Sequence, residues 1–159
     1  MKISNFFKIQ QELTNQIIVD ESLSTYKLLA RKHLQLHIKM SDLANETKCS
    51  TYWLNDESTM DKMTAFDKYI ACLRQIISLA LEDDNKIIDE INFEPSEYCL
   101  SDQFLALYID INDLIISPST DHYMTLLSDF LSLSISLGFT EKMINDGFYD
   151  YNINVQMAL

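Results

Sequence analysis

The chain has 159 residues, of which 47% are hydrophobic, and contains only two Gly and two Pro. So few turn residues exclude collagen-like and Pro-rich disordered chains and argue against a β-sandwich or an α/β fold. Acidic residues outnumber basic ones 24 to 12, for a formal net charge of −12. This balance disfavours direct binding to nucleic acid or to an anionic membrane, because both require a basic face.

The three cysteines, Cys49, Cys72 and Cys99, lie far apart in the sequence. Their spacing matches neither a zinc site nor a redox pair, and we expect reduced thiols in a cytoplasmic protein. The sequence has no run of about 18 apolar residues and no signal-peptide pattern. We therefore expect no membrane-spanning helix.

The spacing of apolar residues is helical nearly throughout, which predicts an all-α bundle of about six helices in a single domain over residues 1–159. The predicted helices cover residues 5–19, 24–48, 60–83, 101–117, 120–137 and 140–150. In the first helix, Phe6, Ile9, Leu13 and Ile17 form the apolar stripe. Ser22 or Ser24 is the candidate N-cap of the second helix.

The third helix is predicted to start near Thr59 or Asp61. Residues 82–100 form a longer acidic connection, with one helical turn at residues 86–91. Ser101 and Asp102 are the predicted cap of the fourth helix, which stops before a proline. The fifth helix is predicted to begin at residues 119–121 and to end at a glycine.

Several residues suggest chemistry on their own. His33 and His37 are four residues apart, so they share a helix face and can either bind Zn²⁺ or pack against a neighbouring helix. Asp42 and Glu46 have the same spacing and are weak candidates for a cation site; an exposed acidic face is the alternative. Trp53, the only tryptophan, can stack on a base or cover the end of the bundle.

Four stretches of the chain carry a recognisable pattern and together span nearly its whole length. The most specific is SDLANETKCSTYWL at residues 41–54, and the other three are FFKIQQELTNQI, DKYIACLRQIISLALE and SLGFTEKMINDGFYDYN. In chain order, these stretches resemble the dimeric all-α dUTPases of the wider all-α NTP pyrophosphatase group, which includes MazG-like enzymes. The first-quoted stretch resembles the family pattern E-x-x-E-L-A-N-E-T-x-C-x-x-x-W.

The resemblance implies a metal site made of four carboxylates, spaced i and i+3 on two antiparallel helices, which hold Mg²⁺ against the substrate phosphates. In register, the first pair falls on Lys39 and Asp42, and the second on Lys68 and Ala71. One carboxylate of four remains, joined by two ammonium groups that repel Mg²⁺. Arg74 stands where the family has a histidine. The catalytic motifs are therefore degenerate.

The resemblance also implies where nucleotide would bind. The candidate residues for a nucleotide or phosphate pocket are Gln10, Asn45, Trp53, Arg74 and Asn152. The family's C-terminal Arg-Gln pair and its glycine-containing closing loop have no counterpart here. Catalytic and substrate-closing parts are thus missing, while helix-packing positions remain.

These departures favour a catalytically degenerate protein that binds and regulates through protein–protein contacts. Relatives in phages and bacteria act partly in this way, which suggests a phage or bacterial origin. The resemblance implies a homodimer, and the acidic charge suits a basic partner such as a repressor or a nuclease. We expect no cofactor and no metal, and Mg²⁺ only if the protein is active.

Two alternatives remain open. The first is a Mg²⁺-dependent dUTP or dUDP pyrophosphohydrolase, with ligands drawn from Glu46, Asp67 or Glu82. The second is a nucleotide sensor, in which Lys39, Lys68 and Arg74 replace the metal as counter-charge to phosphate. Against both stands a simple ion-pair cluster of Lys39, Asp42 and Lys68 that fills the former site.

Overall fold

The computed structural model describes residues 1–83 and 87–158, and for residues 151–158 it describes the helical backbone. The helices are α1 (Ser4–Thr14), α2 (Thr25–Thr47), α3 (Lys62–Ala80), α4 (Leu100–Ile116), α5 (Thr120–Leu137) and α6 (Glu141–Ala158). Within the described ranges the sole β-type pairing is an isolated bridge between Lys2 and Glu90. The predicted all-α fold is confirmed.

Capping residues set several helix ends where the sequence places them. The side-chain oxygens of Ser24, Asp61 and Ser119 each accept a hydrogen bond from the backbone N–H three residues further on, at 3.2, 2.7 and 3.1 Å. Each bond satisfies one of the free N–H groups of a first helical turn. Gly138 ends α5 with φ of 76°, a left-handed conformation that glycine adopts without strain.

Three predicted helix ends are wrong, since the sixth helix continues to Ala158 rather than ending at residue 150. The first helix ends at Thr14 rather than at residue 19, and Ile17 is exposed instead of lying on the apolar stripe. Three consecutive β-branched residues, 17–19, lower the helix propensity there. The fourth helix begins at Leu100 with Cys99 as its N-cap, so the predicted cap residues lie inside its first turn.

The connection before α4 also differs from the prediction. Residues 87–91 of the predicted helical turn are not helical, and residues 84–86 lie outside the described part. The backbone N–H of Ile91 donates to the carbonyl of Met1, and that of Ile3 donates to the carbonyl of Asp89. These bonds hold the connection in an extended form against the N-terminus, which a helical turn would not permit.

Helix α3 lies at the centre of the bundle and contacts α1, α2, α5 and α6. Its Tyr69 is fully buried, stacks on the Phe130 ring at 4.5 Å and donates a hydrogen bond to the Phe130 carbonyl at 3.2 Å. The largest helix–helix interface is that of α2 with α3, followed by that of α4 with α5. The first of these interfaces carries the positions to which the sequence assigns the degenerate motifs.

Candidate functional site

Polar side chains connect α2 with α3 and with the residues just after α3. The pairs are Lys32 with Glu82, Lys39 with Gln75, and Lys68 with Glu46. In these pairs, a higher residue number on α2 goes with a lower residue number on the α3 side, so the two helices run antiparallel. Positions 39 and 42 of α2 therefore lie opposite the middle of α3, where positions 68 and 71 are found.

The Lys68 ammonium is neutralised by a carboxylate from outside the four family positions. Its Nζ lies 3.3 Å from Oε2 of Glu46. The other oxygen of Glu46 accepts a hydrogen bond from the backbone N–H of Asp61 at 3.2 Å. Glu46 is therefore occupied by two donors, and the ion pair of Lys68 is with Glu46 rather than with the expected Asp42.

Lys39 is partly buried, and its Nζ donates to Oε1 of Gln75 at 3.5 Å. Burial lowers the pKa of Lys39, and the nearby positive charge of Arg74 lowers it further, while Cys72 acts in the opposite direction. None of the ion pairs within the described residues joins Lys39 to a carboxylate. The second ammonium at the site is thus held by a neutral amide.

The remaining two family positions do not restore a metal site. Asp42 is exposed on α2, and Ala71 of α3 has no side-chain donor atom. Across residues 1–83 and 87–150, no group of three or more His, Cys, Asp or Glu side chains is placed to hold a metal ion. Mg²⁺ prefers several oxygen ligands in octahedral geometry, so this set of residues does not fit it.

The alternative carboxylate ligands are dispersed. Asp67 is exposed on α3, next to Lys68 in sequence and therefore turned about 100° from it around the helix. Glu82 forms an ion pair with Lys32 beyond the end of α3. Glu46 is engaged by Lys68. These three residues supply no common site.

Arg74 points into the interior between α3 and α6. It is only 4% exposed, its Nη1 donates to the Phe148 carbonyl at 2.9 Å, and its guanidinium carbon lies 4.5 Å from the centroid of the Phe148 ring. The Phe148 ring in turn stacks on Phe6 at 4.1 Å. Arg74 therefore connects α3 to the aromatic packing around α6.

The candidate nucleotide residues are distributed between the interior and the surface. Gln10 of α1 is 9% exposed, and its Oε1 has no hydrogen-bond partner in the described part of the chain. Asn45 is exposed on α2. Trp53 is half-exposed, and its ring contacts that of Tyr52 edge to face at 5.1 Å. The side chain of Asn152 lies outside the described residues.

His37 packs against α4, whereas Nδ1 of His33 contacts the backbone of α2 itself. Nδ1 of His33 lies 2.9 Å from the Leu29 carbonyl one turn earlier. The His37 ring stacks on Tyr108 of α4, with a centroid distance of 5.8 Å. The Tyr108 hydroxyl is also 2.5 Å from that of Ser41. These contacts favour the packing role over the Zn²⁺ role.

Sequence reasoning missed a pair of carboxyl groups on α4 and α5. The pKa of Asp110 is raised to about 7, first by burial and then by the charge of Asp129 and a hydrogen bond shared with it. The two residues are 19 apart in sequence, so no helical spacing relates them. The signal that could have indicated them is the absence of basic residues from this part of the sequence.

The fold and the inter-helix face together define the class: an all-α bundle in which polar side chains join the two antiparallel helices α2 and α3. The family model described as dUTPase matches residues 2–157. The chain belongs to the dUTPase family. It has no significant match among curated proteins or among solved structures. No helix in the described residues is long and apolar enough to cross a membrane.

Proposed function

We propose that this chain is a dUTPase-family protein that does not hydrolyse nucleotides and acts by binding another protein. The observation that carries the proposal is the polar interface of α2 with α3. There Lys68 pairs with Glu46, Lys39 bonds to an amide, and Ala71 has no ligand atom. A metal-dependent hydrolase needs its metal both to neutralise phosphate charge and to activate water, and these side chains support neither.

A hydrolysis assay tests the loss of activity. We expect no turnover of dUTP or dUDP by the full chain with Mg²⁺ or Mn²⁺. A rate of about 1 s⁻¹ or more, which is ordinary for an enzyme, would contradict the proposal. The assay is to be accompanied by calorimetric titration with Mg²⁺, in which we expect no binding heat.

The matched variant restores the family ligands through Lys39→Glu, Asp42→Glu, Lys68→Glu and Ala71→Asp. We expect this variant to bind Mg²⁺, because four carboxylates would then face one another across α2 and α3. It need not hydrolyse dUTP, since Arg74 still stands where the family resemblance implies a histidine. A variant that folds but binds no Mg²⁺ would show that the register of the two helices has been misassigned.

The environment of Lys39 supports a second candidate, an anion sensor. The Lys39 ammonium is partly buried, has a lowered pKa and bonds only to an amide within the described residues. A phosphate beside it would stabilise its charged form. Calorimetric titration with a non-hydrolysable dUTP analogue, without metal, tests this candidate. Binding that is lost in Lys39→Met and kept in Lys8→Met, an exposed control, would favour the sensor over the protein-binding role.

We also propose a homodimer, formed through an apolar face that α2 and α4 share and that we term the α2–α4 face. Its large side chains are well exposed: Leu34 at 58%, Ile38 at 47%, Leu105 at 63% and Ile109 at 61%. They are close in sequence to His37 and Tyr108, whose rings stack between the two helices. Exposed apolar patches of this kind mark interaction sites.

The charges along α2 favour a second copy as the occupant of this face. Lys27 and Arg31 are exposed near the start of α2, and Asp42 is exposed near its end. A two-fold axis across the helices would place the start of α2 in one protomer opposite the end of α2 in its partner. Unlike charges would then meet on both sides of the apolar centre, as an isologous interface requires.

A further inference from the structure

The net negative charge of the protein is concentrated in one segment. Residues 87–140 contain no Lys or Arg, whereas residues 1–83 are nearly balanced. The acidic residues of the segment are Asp89, Glu90, Glu94, Glu97, Asp102, Asp110, Asp113, Asp121 and Asp129. The connection to α4, together with α4 and α5, therefore carries these carboxylates and supplies no Lys or Arg of its own.

A cleft of about 400 Å³ lies within this segment, between residues 92–98 and the α4–α5 pair. Apolar surface from Phe93, Pro95 and Ala106 lines part of it, and the carboxylates of Glu94 and Asp129 also face it. The cleft is therefore amphipathic, with an apolar lining beside a negative one.

The wall of the cleft is held in place by a buried amide. Gln103 is 7% exposed, and its Nε2 donates to the Tyr98 carbonyl at 2.7 Å and to Oγ of Ser136 at 2.9 Å. These bonds fix the connecting segment against α4 and α5. The Tyr98 side chain also lines the cleft and remains exposed, so an aromatic surface is available to a ligand.

The carboxylate of Asp129 belongs to a pair that makes no ion pair with a Lys or Arg of the described residues. It interacts with Asp110, whose Oδ2 is buried without a hydrogen-bond partner in the described residues. Asp113 of α4 adds a further negative charge to this environment, and His122 of α5 opposes it. A cation beside Asp129 would relieve the repulsion between the two carboxyl groups.

We propose that this cleft binds an arginine side chain from a basic segment of a partner protein. The methylene groups of the arginine would lie along Phe93, Pro95 and Ala106. Its planar guanidinium would stack on Tyr98 and donate to the carboxylate of Asp129. Arginine fits better than lysine, because a planar fork suits both the aromatic ring and the carboxylate. The inference rests on the proposed protein-binding role and adds the surface and the partner's chemistry.

The test uses the full chain and a fluorescent peptide of alternating Gly and Arg, compared with the same peptide carrying neutral citrulline in place of arginine. We expect Asp129→Asn to weaken binding about tenfold or more. Asp67→Asn makes the same charge change on an exposed site of α3 and should stay within about twofold of wild type. Ser132→Leu, which fills the cleft without changing charge, should weaken binding as Asp129→Asn does.

Several outcomes would overturn the proposal. Equal weakening by Asp129→Asn and Asp67→Asn would mean that the peptide responds only to overall acidity. If the citrulline peptide binds as tightly as the arginine peptide, or if the arginine peptide does not bind at all, the cleft is not an arginine site. Circular dichroism of each variant distinguishes a blocked cleft from an unfolded chain.

Proton release gives an independent readout. A guanidinium at Asp129 should expel the proton that Asp110 holds near neutral pH, so calorimetry at pH 7 in two buffers of different ionisation enthalpy should give different heats. Equal heats in the two buffers would contradict the geometry. The proposed function is tested separately. Turnover of dUTP would contradict it without changing the result of the peptide titration.

Discussion

The Nζ atom of Lys68 lies 3.3 Å from Oε2 of Glu46, across the interface between α2 and α3. Glu46 belongs to the LANET sequence on which the family resemblance chiefly depends. Glu46 therefore serves as an ion-pair partner that ties α2 to α3.

Replacing one partner of this ion pair should destabilise the protein. We expect Lys68→Met to lower the free energy of unfolding by about 0.5–1 kcal/mol, because Glu46 keeps only its bond from the Asp61 N–H and the pair is partly exposed. Urea denaturation measures the change. The double variant with Glu46→Gln should recover part of the loss, and strictly additive effects would mean that the pair is not coupled.

The opposite sign is expected at Lys39. Burial lowers the pKa of Lys39 from an ordinary value of 10.5. Below pH 10.5, holding the ammonium in its charged form therefore reduces the stability of the folded state. Lys39→Met should raise stability by about 0.5–1 kcal/mol at neutral pH after allowance for partial exposure. Lys8→Met, on an exposed position of α1, is the control and should change little.

The pH dependence of the same variant checks the cause. Wild-type stability should rise as pH increases from the lowered pKa of Lys39 towards 10.5, because there the unfolded chain binds more protons than the folded one. Lys39→Met should lack this rise. A variant that is less stable than wild type at pH 7 would show that the ammonium makes a stabilising contact.

The Asp110 and Asp129 pair predicts a stability effect at neutral pH. Because the pKa of Asp110 is raised from 3.8 to about 7, the folded state binds the proton more tightly, and stability falls as pH rises between these values. Asp110→Asn should stabilise by about 1–2 kcal/mol at pH 8, after discounting for its partial exposure, and by less at pH 5. Urea denaturation at both pH values measures the difference. If Asp110→Asn raised the free energy of unfolding equally at pH 5 and pH 8, the titration of Asp110 would not be the cause. The same conclusion would follow if Asp67→Asn gave an equal increase.

Self-association through the α2–α4 face should depend on apolar burial. We expect a dimer at tens of micromolar with an interface above about 1,000 Å², and we expect it to persist at high salt. Ile38→Glu and Ile109→Glu should each give a monomer by light scattering, because a buried unpaired carboxylate is costly. Leu54→Glu, on a residue 99% exposed in the loop after α2, should leave the dimer intact. A wild-type monomer would contradict the proposed interface.

Local sequence signals determined most of the helices. Ser24, Asp61 and Ser119, each one of the candidates that the sequence offered for its helix start, are the N-caps, and Gly138 ends α5 as predicted. Each signal acts within a single turn, so it is readable without the rest of the fold. The end of α1 was misplaced, because apolar spacing continued to Ile17 while the β-branched run stopped the helix.

The sequence alone also determined the family of the chain and the all-α class, since these follow from residue identity and spacing along one helix. Only the tertiary structure decided that Lys68 pairs with Glu46, that Arg74 is buried against Phe148, and that Asp110 and Asp129 share a site. These contacts join separate helices. Helical periodicity fixes which face of a helix is buried but not how far one helix slides along its neighbour, and that displacement selects the partner of each side chain.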